Sequence, residues 1–164
     1  MSFLDEIEAM IPALRRYARA LAQDRAVADD LVQDCLERAM QQRDSWRGSG
    51  SLRGWMFRIL LNLHRDGRRR ASHLVVVPDA PEPSRPGGQE GHLALREVQA
   101  AVQRLPEDQR RALLLVALEG MTLAEAAAAL DIPEGTLVSR LGRARAALRE
   151  MTGRETPRER RQGR

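Results

Sequence analysis

Apolar residues recur along this chain with helical spacing, in two blocks separated by a stretch that carries no such pattern. In the first block Ile7, Ile11, Leu14, Ala18 and Leu21 fall on one helical face. Leu31, Cys35, Leu36 and Ala39 do the same on a second helix, which Asp24 is placed to cap. The segment Ser45 to Ser51, SWRGSGS, reads as a Gly/Ser loop. After it, Leu52, Trp55, Ile59, Leu60 and Leu63 define a third helix that ends in Arg65, Arg68, Arg69 and Arg70. Residues 71–91 contain PDAPEPSRPGGQEG, too rich in Pro and Gly for a regular element, and Leu74 to Val77 is β-favouring but too short for a sheet. Helical spacing resumes from Leu95 to Leu105. Pro106 then opens a further helix that Gly120 closes. Residues 152–164 are charged and lack the apolar pattern, which predicts a disordered basic tail. The expected fold is all-α: two small helical domains, residues 1–70 and 92–151, joined by a flexible linker, 71–91.

The second block carries the most informative segment, Thr122 to Arg145, TLAEAAAALDIPEGTLVSRLGRAR. Leu123, Ala126, Ala127 and Leu130 give a short helix an apolar stripe. Asp131 falls at a corner and tolerates a left-handed backbone, Ile132 plugs that corner, and Pro133 starts the next helix. In that helix Leu137, Leu141, Ala144 and Leu148 face inward, while Thr136, Ser139, Arg140 and Arg143 share the opposite face. Hydroxyls and guanidinium groups are what base edges and phosphates accept, so the layout predicts a DNA-reading helix-turn-helix. A helical hairpin with a solvated basic face is the plainer alternative.

Composition narrows the field. Aromatics make up only 3% of the chain, so the cores rest on Leu, Ala, Val and Ile. All 27 basic residues are Arg, against 23 acidic ones, for a net charge of +4. The clusters Arg65, Arg68, Arg69, Arg70 and Arg140, Arg143, Arg145, Arg149 suit a polyanion. The single cysteine, Cys35, excludes an intramolecular disulfide and reads as a buried thiol. His64, His73 and His92 lack ligand spacing, so neither a metal site nor a cofactor is expected. The apolar run Ala112 to Leu118 is too short to span a bilayer, and the acidic, amphipathic N-terminus is unlike a secretory signal. A cytoplasmic protein with no membrane insertion is expected. No nucleophile–base set suggests an enzyme.

Taken together, DDLVQDCLERA (Asp29 to Ala39), SWRGSGSLRGWMFRILLNLHRDGRRR (Ser45 to Arg70) and LPEDQRRALLLVALEGMTLAEAAAALDIPEGTLVSRLGRARAAL (Leu105 to Leu148) resemble a bacterial sigma factor of the extracytoplasmic-function (ECF) type, over about Met10 to Arg149. The resemblance implies that the first segment grips core RNA polymerase through Asp30, Gln33 and Asp34 on a polar face that also carries Asp29, Glu37 and Arg38. It implies that the second captures the promoter −10 element. There the loop Trp46 to Ser51, with Arg47 and Ser49, and Asn62 would hold a flipped base, while Arg65, Arg68, Arg69 and Arg70 meet phosphates. The third would read the −35 element through Thr136, Ser139, Arg140 and Arg143. The partners implied are core RNA polymerase, promoter DNA and an anti-sigma factor that holds both domains together, in a stress response. The linker would thread toward the polymerase active-site channel, where Asp79, Glu82 and Glu90 either mimic nucleic-acid charge or act as plain spacer. Trp55 and Phe57, two positions apart, cannot share a helix face; Trp55 is expected in the core and Phe57 at the edge of the DNA path.

Three positions depart from the family pattern. Val138 stands where a basic residue is usual, Gly142 where a larger one is, and Ala126 where a larger aliphatic is common. Gly142 costs the helix about 1 kcal/mol against Ala. Two rival readings follow: a sigma-like decoy that binds an anti-sigma protein without DNA, and a plain helix-turn-helix regulator that leaves Asp29 to Arg70 unused.

Overall fold

The computed structural model describes residues 1–72 and 90–153, and every regular element among them is helical. Side-chain caps set three of the helix starts. Ser2 and Asp5 form a reciprocal capping box at the head of α1 (Phe3–Leu21). Asp24 accepts from the Ala26 and Val27 amides at the head of α2 (Arg25–Gln41). A 3-10 turn, Arg43–Ser45, leads into the Gly/Ser loop, and α3 (Leu52–Ser72) carries the arginine cluster along its final turns. Beyond residues 73–89 follow α4 (Glu90–Arg104) and α5 (Glu107–Ala117). Next come α6 (Leu123–Leu130), headed by a second capping box between Thr122 and Glu125, and α7 (Glu134–Thr152). Pro106 and Pro133 occupy the N-cap of α5 and α7 and not the first helical residue; a preset φ serves either position. The predicted linker acids Asp79 and Glu82, the Leu74 to Val77 run and the tail from residue 154 lie outside the described residues, as does the side chain of Glu90.

The periodic residues go inward as their spacing requires. Ile7, Leu14, Ala18 and Leu21 of α1, Leu31, Cys35 and Ala39 of α2, and Ile59 and Leu60 of α3 are buried. So are Leu137, Leu141 and Ala144 of α7. Burial pushes the Cys35 thiol up to about 12, which leaves it protonated and unreactive near neutral pH. Two expectations are corrected. Phe57 does not edge a DNA path: it is fully buried, edge-on to Tyr17 with ring centroids 5.3 Å apart. Trp55 packs against the core as expected, but only half-buried at its edge, 5.4 Å from Trp46 and 6.4 Å from Phe3, because the inward line of α3 runs through Met56, Phe57, Leu60, Leu61 and His64. Leu123 does not complete the stripe of α6. It is 40% exposed in the first turn, and Ala126, Ala127 and Ala129 supply the buried face, with Met121 buried just ahead of the helix.

The two blocks do not stand apart. One hydrophobic cluster runs from Ile7 through Phe57 to Leu115 and Leu141, and α6 packs along α3. The seam between the blocks is also rich in polar contacts. Gln103 and Arg110 donate to the C-terminal carbonyls of α1, at Ala20 (2.7 Å) and Leu21 (3.1 Å). The Tyr17 hydroxyl donates to the Arg111 carbonyl at 3.0 Å. Arg16 forks onto Glu119 at 3.0 and 2.8 Å, and Arg53 reaches the Glu119 carbonyl at 2.6 Å and its carboxylate at 3.1 Å. The Glu119 side chain has no solvent exposure.

His64 is the titratable pivot of this seam. Its Nδ1 accepts from Arg111, with Nε and Nη2 at 3.3 and 3.0 Å, and its Nε2 lies 3.5 Å from Glu107. Accepting at Nδ1 requires the neutral ring with its proton on Nε2. Burial first, then the charge of Arg111, outweighs the opposing pull of Glu107 and holds its pKa far below the ordinary 6.5, at about 4. In the unfolded chain the ring binds a proton near pH 6.5; in the folded chain it refuses one until about 4. The unfolded state therefore binds more protons throughout that window, and stability falls as pH falls through it. His64→Gln should flatten the decline in urea midpoint between pH 6.5 and 4; an unchanged decline would remove His64 as its cause.

Candidate nucleic-acid interface

The corner of the helix-turn-helix is built as its sequence suggests. Asp131 ends α6 at φ 55° and ψ 48°, left-handed, with its amide bonded back to Ala128 at 3.2 Å. The Ile132 amide bonds the Ala127 carbonyl at 3.0 Å, and its side chain packs against the core. That turn aims α7 so that Leu137, Leu141 and Ala144 are covered while Thr136, Ser139 and Arg143 stand exposed on the outer face. Val138, 52% exposed, and Gly142 share this outward side. Arg140 is not free there. Its side chain is only 25% exposed, and its Nε lies 3.7 Å from the Asp108 carboxylate in the first turn of α5.

The other predicted cluster is assembled by α3 and the loop before it. Gly48 and Gly50 adopt φ of +66° and +94°, which lets the loop double back where a side chain would be strained. Trp46 lies half-buried on Trp55, and Arg47 and Ser49 are exposed. Asn62, Arg65, Arg68 and Arg69 lie on the solvent side of α3, with the Asn62 carbonyl oxygen 3.4 Å from an Arg65 donor. Trp46 and Trp55 are tilted at 39° to one another near the start of α3, and Asn62 and the guanidinium groups follow along the exposed side of the same helix. Arg68 already has a carboxylate partner, with its Nε 3.0 Å from Glu107.

On α2, Asp30, Gln33 and Asp34 are exposed, and the Gln33 amide donates to Glu37 at 3.2 Å. Gln33 also helps line a groove of about 420 Å³ between α1 and α2, with Arg15, Arg19, Asp29, Val32 and Leu36. Its lining mixes two arginines, an aspartate and an amide with the apolar Val32 and Leu36. Among the described residues no group of three His, Cys, Asp or Glu side chains could hold a metal ion, and no helix is long and apolar enough to cross a membrane.

Sequence reasoning missed the acidic partners: Glu107 on Arg68 and His64, Asp108 on Arg140, Asp131 on Arg58 at 3.6 Å, and Glu119 on Arg16 and Arg53. Arg16 and Glu119 are 103 positions apart, so no local pattern announces the pair.

Residues 7–61 match the family model described as the sigma2 domain of PhyR, and residues 95–148 match that of sigma-70 region 4. The ECF RNA polymerase sigma factor EcfG of Rhodopseudomonas palustris is 40% identical over 151 residues, covering 90% of this chain and 83% of that protein. The ECF sigma factor SigM of Mycobacterium tuberculosis is 36% identical over 143 residues, covering 85% of this chain and 71% of the relative. The sigma factor RpoE of Bartonella quintana, solved in complex with the anti-sigma factor NepR, superimposes with a TM-score of 0.78 at 30% identity, over 94% of this chain and 98% of that one. With two helical blocks matching sigma regions in their order along the chain, this protein belongs to the ECF family of RNA polymerase sigma factors.

Proposed function

We propose that the chain binds core RNA polymerase and directs promoter recognition and melting, without catalysing a reaction of its own. The observation that carries this is the order of the two matched regions, each coinciding with a helical block that exposes a cationic surface. Residues 1–70 act as the polymerase- and −10-binding unit and 92–151 as the −35 unit. Asp30, Gln33 and Asp34 set the register on polymerase. Trp46, Arg47, Ser49 and Asn62 hold a −10 base outside the stack, while Arg65, Arg68 and Arg69 neutralise the neighbouring phosphates. In the −35 major groove Arg140 reads guanine and Arg143 meets phosphate, with Thr136 and Ser139 beside them. Acting with polymerase places the protein in the cytoplasm. The likeness to a sigma factor crystallised with NepR supports an anti-sigma partner for this chain as well.

The decoy reading draws on α7: Val138 and Gly142 offer no charge to DNA, and Arg140 is held by Asp108. The exposed row on α3 favours the sigma reading over it.

Purified chain should co-elute with core polymerase and support transcription from a cognate promoter; failure to bind core at low salt ends the sigma reading. Asp30→Arg with Gln33→Arg should weaken core binding while circular dichroism stays unchanged, because both side chains are exposed. Asn62→Ala should reduce open-complex formation, read by permanganate footprinting, more than closed-complex binding. Equal footprints would remove Asn62 from the base pocket. In the holoenzyme, Arg140→Ala should relax −35 preference, with a loss of about 1–3 kcal/mol of discrimination. Arg143→Ala should weaken all sequences alike and lower the salt slope by about one. If neither changes promoter affinity while anti-sigma binding falls, the chain is a decoy.

A further inference from the structure

The first turn of α5 holds one arginine from each candidate DNA surface. Glu107 Oε1 lies 3.0 Å from Arg68 Nε and 3.5 Å from His64 Nε2, and its Oε2 lies 3.6 Å from Arg111. The next residue, Asp108, lies 3.7 Å from Arg140. A carboxylate offers guanidinium the same paired oxygen acceptors as a phosphate. Glu107 therefore stands on Arg68 where a DNA phosphate would stand.

Geometry makes that contact incompatible with a bound promoter, on the sigma reading above. Glu107 and Asp108 are neighbours, with Cα atoms about 3.8 Å apart, so the arginines they hold are within a few side-chain lengths of each other. Elements at −35 and −10 are separated by roughly 25 base pairs, or about 85 Å at about 3.4 Å per pair. The closed chain cannot touch both. Its blocks must part at the seam between α3 and α5–α6, and parting breaks Arg68–Glu107. The 17 residues between Ser72 and Glu90 have a contour length of up to about 60 Å, enough for a wide separation.

We propose that Glu107 is an autoinhibitory carboxylate: in the closed chain it occupies Arg68 in place of a DNA phosphate, so that polyanion binding and seam closure compete for one guanidinium. Arg68 is 62% exposed and Glu107 25%, so the pair is accessible to a competing phosphate. Glu119 pins the same seam through Arg16 and Arg53, neither of which is among the −10 arginines. Closure thus has one pin that DNA does not reach and one that it displaces.

The test uses the full chain with fluorophores at Glu8→Cys and Glu97→Cys, one on each block; both sites are exposed, and the buried Cys35 stays unlabelled. A duplex of arbitrary sequence, long enough to span both elements, is the probe. Energy transfer should fall as duplex is added. Glu107→Gln should bind the duplex up to about fivefold more tightly, the scale of one exposed ion pair. Its dependence of log affinity on log salt should steepen by about one phosphate contact. Glu107→Asp retains the charge but withdraws the carboxylate, so it should reproduce most of the gain, and it serves in place of Glu107→Gln should that variant misfold. In an Arg68→Ala background both gains should vanish. A gain that persists without Arg68, or no gain in either variant, overturns the proposal. Because polymerase is absent, that result leaves core binding and transcription, and so the sigma reading, standing; loss of those activities in the wild-type chain would sink the sigma reading instead.

Discussion

The solvent-free carboxylate of Glu119 is the constraint on which the arrangement of the two blocks depends. It sits at the turn between α5 and α6 and is reached by Arg16 from α1 and Arg53 from α3, so three elements converge on one charge. A buried carboxylate must be paired, and removing one partner from a buried ion pair typically costs about 3–5 kcal/mol. Here the arginines are partly exposed, so the contact lies at the edge of a seam and not deep in a core. That position suits a joint that must both hold and release. Around it, Gln103 and Arg110 cap the end of α1, and Tyr17 reaches across to the Arg111 carbonyl. The apolar faces of α3 and α6 then close the gap.

This seam links the two candidate DNA surfaces. The helix that carries Asn62 and Arg68 is the helix against which the first helix of the helix-turn-helix packs. Arg58 of α3 even reaches Asp131, the left-handed corner residue between α6 and α7. Contacts that position the cations in the closed chain also neutralise some of them. Arg68 and Arg140 each have a carboxylate partner, while Arg143 and the loop residues Arg47 and Ser49 face solvent. On the proposal made above, affinity for a polyanion depends on the state of the seam, because every cation released from a carboxylate is one more available to phosphate.

What the sequence by itself determined was local. Helical periodicity located the inward faces of α1, α2 and α7, because 3.6-residue spacing is a property of the backbone and needs no partner. Asp24 and Asp131 announced a cap and a left-handed corner, since each acts on amides or a backbone angle within a few residues. The outer face of α7 and the arginine row of α3 were legible for the same reason. Only the tertiary structure decided which of two aromatics two positions apart was buried. Phe57 was chosen because Tyr17, forty positions earlier in the chain, presents a ring edge to it, and Trp55 found Trp46 at the rim. Tertiary structure alone likewise gave Arg16, Arg68 and Arg140 their acidic partners. A charge on a helix surface carries no mark of what faces it. Its partner is selected by packing between helices far apart in sequence, and that packing turned two separately legible blocks into one joined structure.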